Sequence, residues 1–271
     1  DREKLDAALE ALSEEDPTFR LSKDSETGQT LISGMGELHL EIIKDRLQRT
    51  FNVQANAGKP MVTYHETIQV PARGEYTFAR TIGDRNHFGH VVVEVEPGTR
   101  GAGNRIEFAC RRDDVPAEFR EAVESGLQDA LLTGVLAHYP LTDVLVRVVG
   151  GTAHPTDSSE TAFHGAALLA LREAAQAGQP ALLEPIMQLE ILTPEEHLGD
   201  VLGDVNSRRG RIRDIEAREA VRSVDAEVPL AELFGYATAL RSLTKGRASY
   251  TAEPKTLDFV PAQIQNDMLK R

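Results

Sequence analysis

The chain has 271 residues, 41% of them hydrophobic and 27% charged, with a formal net charge of -13. That length suggests two or three domains, and the composition is that of a folded globular protein, not of a disordered one. A strongly acidic chain is not the default nucleic-acid binder, so any RNA contact must come from local basic patches.

No run of about 18 or more apolar residues marks a membrane span. No secretory leader opens the chain, and a first residue other than Met points to a piece excised from a longer protein. The single Cys110 excludes an intramolecular disulfide. It fits a reducing cytoplasm, with the thiol as a small buried apolar side chain.

The first module spans residues 1–69. Leu5, Ala8, Leu9 and Leu12 recur at helical spacing and mark one apolar face, which Pro17 closes. Phe19 and Leu21 alternate with polar residues, and Asp24 to Gly28 reads as a hairpin turn into a strand at Gln29–Ser33. A second helix follows Gly34-Met35-Gly36, with Leu40, Ile43 and Leu47 on one stripe. After Gly58-Lys59-Pro60 a last strand is expected at Met61–Ile68. This order predicts a small α+β sandwich.

The second module covers residues 70–180. Strands are expected at Gly74–Ala79, His90–Glu96, Arg105–Cys110 and Thr142–Val149. A helix starts at Pro116 and ends at Gly134, with Phe119, Val123, Leu127 and Leu131 inward. Another begins at Asp157, with Glu160 three residues on in capping-box spacing. Its face of Phe163, Ala167, Ala170, Leu171 and Ala174 suits close packing.

The third module, residues 181–254, reads β-α-β-β-α-β, the split βαβ pattern of ferredoxin-like folds. Its strands are expected at Pro185–Leu192, 211–217, 221–228 and Arg247–Thr251, with a helix from Pro229 through Leu240. Residues 255–271 form a tail with a short helix, Ala262–Lys270. Gln69-Val70-Pro71 and Gln179-Pro180 read as stiff hinges.

Several runs carry a resemblance. Gly34-Met-Gly-Glu-Leu-His-Leu40 and Phe51 to Pro60 resemble the third domain of bacterial-type elongation factor G. Gly134-Val-Leu-Ala-His-Tyr-Pro-Leu141 and Asp157-Ser-Ser-Glu-Thr-Ala-Phe163 resemble its fourth. Leu183 to Met187, Gly203 to Gly210 and the long run Phe234 to Tyr250 resemble its fifth. The runs keep the family's order and reach residue 253.

The resemblance implies the C-terminal arm of a translational GTPase, or of a divergent paralogue. That arm has ferredoxin-like third and fifth domains flanking an elongated fourth domain, which resembles the second domain of a small-subunit ribosomal protein. The family moves transfer RNA and messenger RNA through the ribosome and acts in recycling. The implied partners are therefore the ribosome, tRNA and mRNA, and the implied setting is cytoplasmic, without a membrane and as a monomer. GTP and Mg belong to the family's N-terminal domain. This sequence has no G-x-x-x-x-G-K-[ST] loop, so no cofactor and no catalytic residue are expected in it.

Two loops are implied as the RNA-facing tip of the fourth domain. One spans residues 150–159 and carries His154, Thr156, Asp157, Ser158 and Ser159 just before a helix N-terminus. Asp157 is also expected to cap that helix. The other is Arg80–His90, with Arg85 and His87. The family's common run there is Ser-Gly-Gly-Arg-Gly-Gln-Tyr-Gly-His, whereas this chain has Ile82, Asp84, Asn86, His87 and Phe88. Two glycines are lost and Asp84 adds negative charge where phosphate would lie, a departure that fits a specialised paralogue. His87-x-x-His90 is not expected to bind metal, because no carboxylate cluster accompanies it.

A basic run in the third module, Arg208, Arg209, Arg211 and Arg213, is implied to contact large-subunit ribosomal RNA. Read from the residues alone, the run serves equally as a solvated face paired with Asp214, Glu216 and Glu219. Two further readings stay open: a stand-alone ribosome- or RNA-binding module, and a ribosome-protection factor of the same layout.

Overall fold

The computed structural model describes residues 2–23, 28–34, 37–55, 58, 62–218 and 221–270. The architecture is α+β, in two compact units: Asp1–Thr63 with Pro185–Lys255, and Tyr64–Glu184 with Thr256–Arg271.

The first unit opens with α1 (Arg2–Glu15), β1 (Arg20–Lys23), β2 (Thr30–Ser33) and α2 (Glu37–Phe51). β1 and β2 pair antiparallel, Arg20 opposite Ser33. The turn expected between them, residues 24–27, lies outside the described residues. The stripe read from sequence is buried: Ala8, Leu9 and Leu12 form one core with Phe19, Ile43, Leu47 and Val53. Pro17 follows the end of α1. There Asp16 Oδ1 accepts the Thr18 amide and closes the turn.

The strand expected at Met61–Ile68 is shorter and lies in the other unit. β3 (His65–Ile68) pairs antiparallel with residues 180–183, His65 opposite Leu183, and not with the β1–β2 hairpin. Met61 lies outside the described residues. Glu66, Thr67 and Ile68 are all buried, so β3 is covered on both faces.

The second unit continues through β4 (Ala72–Ile82), β5 (Arg85–Pro97), β6 (Arg105–Phe108), α3 (Arg120–Thr133), β7 (Val144–Thr152) and α4 (Glu160–Ala177). The sheet order is β4-β5-β7-β6, antiparallel except for the parallel β6–β7 pair. Val91, Val93, Val95, Val146 and Val148 meet Phe163, Ala167, Ala170 and Ala174 in one core. The Ala-rich face of α4 does what its composition suggested. A Cβ at Gly74 would lie 2.3 Å from the Ala170 carbonyl oxygen, so strand and helix backbones are in direct contact. The helix expected from Pro116 begins as a 3-10 turn, Ala117–Phe119. It ends at Gly134, whose φ of 60° favours glycine.

β8 (Pro180–Pro194), α5 (Leu198–Ser207), β9 (Arg211–Arg218), β10 (Val221–Pro229), α6 (Tyr236–Thr244) and β11 (Ser249–Phe259) follow. The sheet order β11-β8-β10-β9 is that of the predicted split βαβ pattern. Its core is Leu189, Ile191, Val201, Val205, Val224, Val228, Tyr236 and Leu240. The single helix expected from Pro229 to Leu240 is broken: a 3-10 turn at Leu230–Glu232 precedes α6, and Gly235 between them has φ 76°.

The expected tail is built into the second unit. β11 runs on to Phe259, and α7 (Ala262–Leu269) follows. The Val260 amide donates to the Leu182 carbonyl, and the Gln265 side chain accepts the Leu182 amide. The two expected hinges are tied to each other. The amides of Gln69 and Val70 both donate to the Gly178 carbonyl, and Gln69 Nε2 donates to the Gln179 carbonyl.

Candidate nucleic-acid interface

The segment Arg80–His90 is a tight β-hairpin and not a loop. β4 runs to Ile82, β5 starts at Arg85, and only Gly83 and Asp84 turn the chain, with Ile82 opposite Arg85. Gly83 has φ 64°, and glycine is favoured at the first position of such a turn. The family's extra glycines are therefore not needed for reversal here. Thr81 Oγ1 donates to Asn86 Oδ1 across the hairpin at 2.9 Å, and Arg80 lies over the Phe78 ring.

The segment 150–159 is brought against this hairpin. Ser158 bridges Phe88, and the Phe88 amide donates to the Asp157 carbonyl at 2.7 Å. His87 Nδ1 and Ser159 Oγ are 2.7 Å apart, and His90 Nδ1 and Thr152 Oγ1 are 3.1 Å apart. The Phe88 and His154 rings meet edge to face. Seven of the residues singled out from sequence thus share one end of the second unit. His87 and His90 lie three apart on one strand, which turns them to opposite faces, and each ring is engaged by a hydroxyl.

His154 is the best-held of them. Its backbone amide donates to Ser158 Oγ at 2.8 Å. Its Nδ1 accepts the amides of Asp157 at 3.2 Å and Thr156 at 3.4 Å. An acceptor at Nδ1 places the ring hydrogen on Nε2. Half of the side chain is exposed, so this tautomer offers solvent a donor of fixed direction.

The helix cap differs from the expectation. Ser159, in extended conformation, is the N-cap of α4, and its Oγ accepts the Ala162 amide. Asp157 sits two residues too early for that role. It receives the Thr156 hydroxyl at 3.0 Å and faces His154 Nδ1 at 3.5 Å. Ser159 is spent on the cap and on His87, whereas Arg85 and Thr156 are exposed.

Arg208, Arg209 and Arg213 of the third module's basic run each meet a carboxylate within that module, at Asp204, Glu232 and Glu227. Arg208 Nε donates to Asp204 at 2.8 Å and its Nη1 to the Glu232 carbonyl at 2.7 Å, and its guanidinium covers the Tyr236 ring. Arg209, at φ 59°, donates to Glu232 Oε1 at 2.9 Å. Arg213 and Lys255 converge on Glu227. The Arg213 bond is the main cause that holds that carboxyl below its usual range. A register shift opposite Asp225 and Ala226 leaves Arg213 as the extra residue of a bulge, which breaks the simple alternation with Arg211. Arg211 is exposed. Of the expected carboxylate partners, Glu219 lies outside the described residues. Glu216 binds Arg218 instead.

Acidic charge has its own place in this module. Glu190, Asp214, Glu216, Asp225 and Glu253 line a groove of about 310 Å³. Asp214, Asp225 and Glu190 sit directly opposite one another on three adjacent strands.

Sequence reasoning missed two residues that shape the fourth-domain region. Glu66, fully buried, sits in a nest of amides from Val135 (2.6 Å), Leu136 (2.9 Å), Ala137 (2.7 Å) and Tyr139 (3.2 Å). Asp143 accepts the amides of Gly101 and Gly103 and a guanidinium hydrogen of Arg100. Neither has a spacing signal, because the partners are backbone amides 40 to 73 residues away. Burial lifts the Cys110 thiol above its usual range, as suits a residue used for packing.

The fold and this cluster define a multi-domain α+β protein whose second unit gathers hydrogen-bonding side chains at one sheet end. Among the described residues, no helix is long and apolar enough to cross a membrane. Family models match in series: Elongation Factor G, domain III, at residues 1–59; Elongation factor G, domain IV, at 60–179; and Elongation factor G C-terminus at 181–268. The chain belongs to the elongation factor G family and carries these three parts of it. It is 50% identical over all 271 residues to elongation factor G of Chlamydia caviae, and equally to that of Chlamydia trachomatis, and spans 39% of each. A crystal structure of ttk003000868 from Thermus thermophilus superposes with a TM-score of 0.88 at 38% identity. The match covers all of this chain and 40% of that one.

Proposed function

We propose that the chain is the RNA-directed arm of a cytoplasmic, monomeric ribosomal translocase. It would act on tRNA and mRNA during elongation and take part in ribosome recycling. GTP and Mg are bound and used in another domain of the intact protein. In this reading the arm makes and breaks no bonds, and works by shape and contact while hydrolysis elsewhere drives it.

The observation that supports this best is the joined pair of segments 80–90 and 150–159. His154 Nε2–H and Arg85 are offered to ribose and phosphate oxygens, while Thr156, Ser159, His87 and Phe88 hold the assembly together. Short side chains held by backbone bonds lose little entropy on contact, which suits a device that must push.

The test is single-turnover tRNA–mRNA movement on ribosomes by the intact protein carrying His154→Ala or Arg85→Glu. Movement should slow at least about tenfold while ribosome-stimulated GTP hydrolysis stays at the parent rate. Equal loss of both activities, or no loss of either, would reject the tip assignment. Rescue of drug-stalled ribosomes without any movement activity would assign the intact protein to ribosome protection.

A further inference from the structure

β6 is an edge strand of the second unit's sheet. The Ala109 amide donates to the Val148 carbonyl, which fixes the parity of this parallel ladder. Residues 105, 107 and 109 turn their backbone groups toward β7. The N–H and C=O groups of Ile106 and Phe108 therefore face the open edge.

Beside that edge lies a groove of about 480 Å³ lined by Asn104, Ile106, Glu124, Gln128, Leu131 and Leu132. Leu132 is 65% exposed, more than any other large hydrophobic side chain among the described residues. Arg105–Phe108 is short and carries Arg105 and Glu107, but it has no proline, bulge or inward charge to block pairing at Ile106 and Phe108. On the α3 side the rim carries Glu124, with Glu121 exposed nearby on the same helix; of the neighbouring cations, Arg105 is bound to Glu107 and Arg120 covers the Phe108 ring.

We propose that β6 and α3 form a strand-addition groove for an extended protein segment bearing lysine or arginine. One aliphatic side chain of that segment seats on Ile106, Leu131 and Leu132, one cation meets Glu124, and the backbone pairs with Ile106 and Phe108. Side chains of an added strand alternate, so every second residue falls on the α3 side, where the apolar floor lies. A second copy of this chain would set Glu124 against Glu124 under a net charge of -13, and RNA phosphates would meet the same acid. A basic peptide satisfies both the edge and the rim. The proposal stands apart from the RNA-directed tip and does not depend on it.

The probe is a fluorescein-labelled hexapeptide, Lys-Leu-Lys-Leu-Lys-Leu, titrated into the full chain by anisotropy, with amide exchange followed by NMR. At saturation, exchange at Ile106 and Phe108 should slow at least about tenfold. Leu132→Asp and Glu124→Lys should each weaken binding about tenfold with unchanged thermal unfolding, since both side chains are exposed. A Glu-Leu repeat, or the Lys-Leu peptide with a central proline, should not bind. Failure of the Lys-Leu peptide to bind would overturn the proposal. So would binding without slowed exchange at those two amides, parent affinity in Leu132→Asp, or displacement of the peptide by polyuridylate.

Discussion

Glu66 shows how much one carboxylate can organise. Its four amide partners all come from the run after α3, where Gly134 and His138 both have positive φ. Without an acceptor, those amides of half-buried residues would lose their partner, each a loss of up to about 1–3 kcal/mol. Glu66→Ala is therefore expected to destabilise the second unit by about 3 kcal/mol or more, and Glu66→Gln by about 1.5–3 kcal/mol, read by urea unfolding. A change under about 0.5 kcal/mol for Glu66→Ala would show that the nest has other acceptors. Asp143 gives a pH-dependent counterpart. Burial opposes its ionisation, but the amides of Gly101 and Gly103 and the Arg100 guanidinium prevail and hold its carboxyl below the ordinary range. A carboxyl depressed on folding adds stability that is complete above its unfolded value of about 4 and fades as pH falls below that. Asp143→Asn should lower stability at pH 7, and the gap from the parent should narrow as the pH is taken from about 5 to below about 3. A gap independent of pH would reject this role.

At the scale of elements, α4 is held by contacts that leave no room for a side chain. Gly126 of α3 faces the His164 carbonyl oxygen, which an added Cβ would approach to 2.3 Å. Gly126→Ala gains about 1 kcal/mol of helix propensity, but two packed backbones must separate, at about 1–3 kcal/mol or above. The clash should prevail, with thermal unfolding lowered by a few degrees. A raised midpoint would mean that α3 can slide. At the start of α4, Ser159→Ala removes both the cap and the His87 partner. About 1 kcal/mol of stability should go with the cap, and His87 ring resonances should shift in NMR spectra. Unmoved His87 signals would sever the two segments. The capping-box spacing at Asp157 and Glu160 was visible in the sequence, but the cap fell two residues later. The bridge between Phe88 and Ser158 holds Asp157 in the turn, and no local pattern reports that bridge.

At the scale of the whole molecule, charge is sorted and not merely summed. An acidic excess of 13 would repel RNA if spread evenly, yet carboxylates crowd one sheet face of the third module, with Arg218 among them, while Arg208 and Arg209 lie at the turn after α5. Charge reversal at Arg208 or Arg209 would set acid against Asp204 or Glu232. Such variants should weaken ribosome binding by loosening the module as well as by lost attraction. Arg211→Glu is a second probe. If Arg211 meets a phosphate, this exposed position should weaken ribosome binding of the intact protein, with a salt dependence shallower by about one unit of slope. Parent-like binding at low salt would take Arg211 off the interface.

The amino-acid order alone determined the elements with strong periodicity: the stripe of α1, the Ala-rich face of α4 and the β-α-β-β-α-β succession of the third module. It also determined the family, because motif runs are local and burial repeats every two or three and a half residues whatever lies opposite. Only the tertiary structure decided which strand β3 joins, that the predicted hinges are bonded to each other, and that the tail is bonded to Leu182. It also decided that Arg208 and Arg209 face Asp204 and Glu232. Those outcomes depend on backbone groups and side chains from distant parts of the chain meeting in space, and each meeting is chosen by packing and hydrogen-bond satisfaction, which leave no period in the sequence.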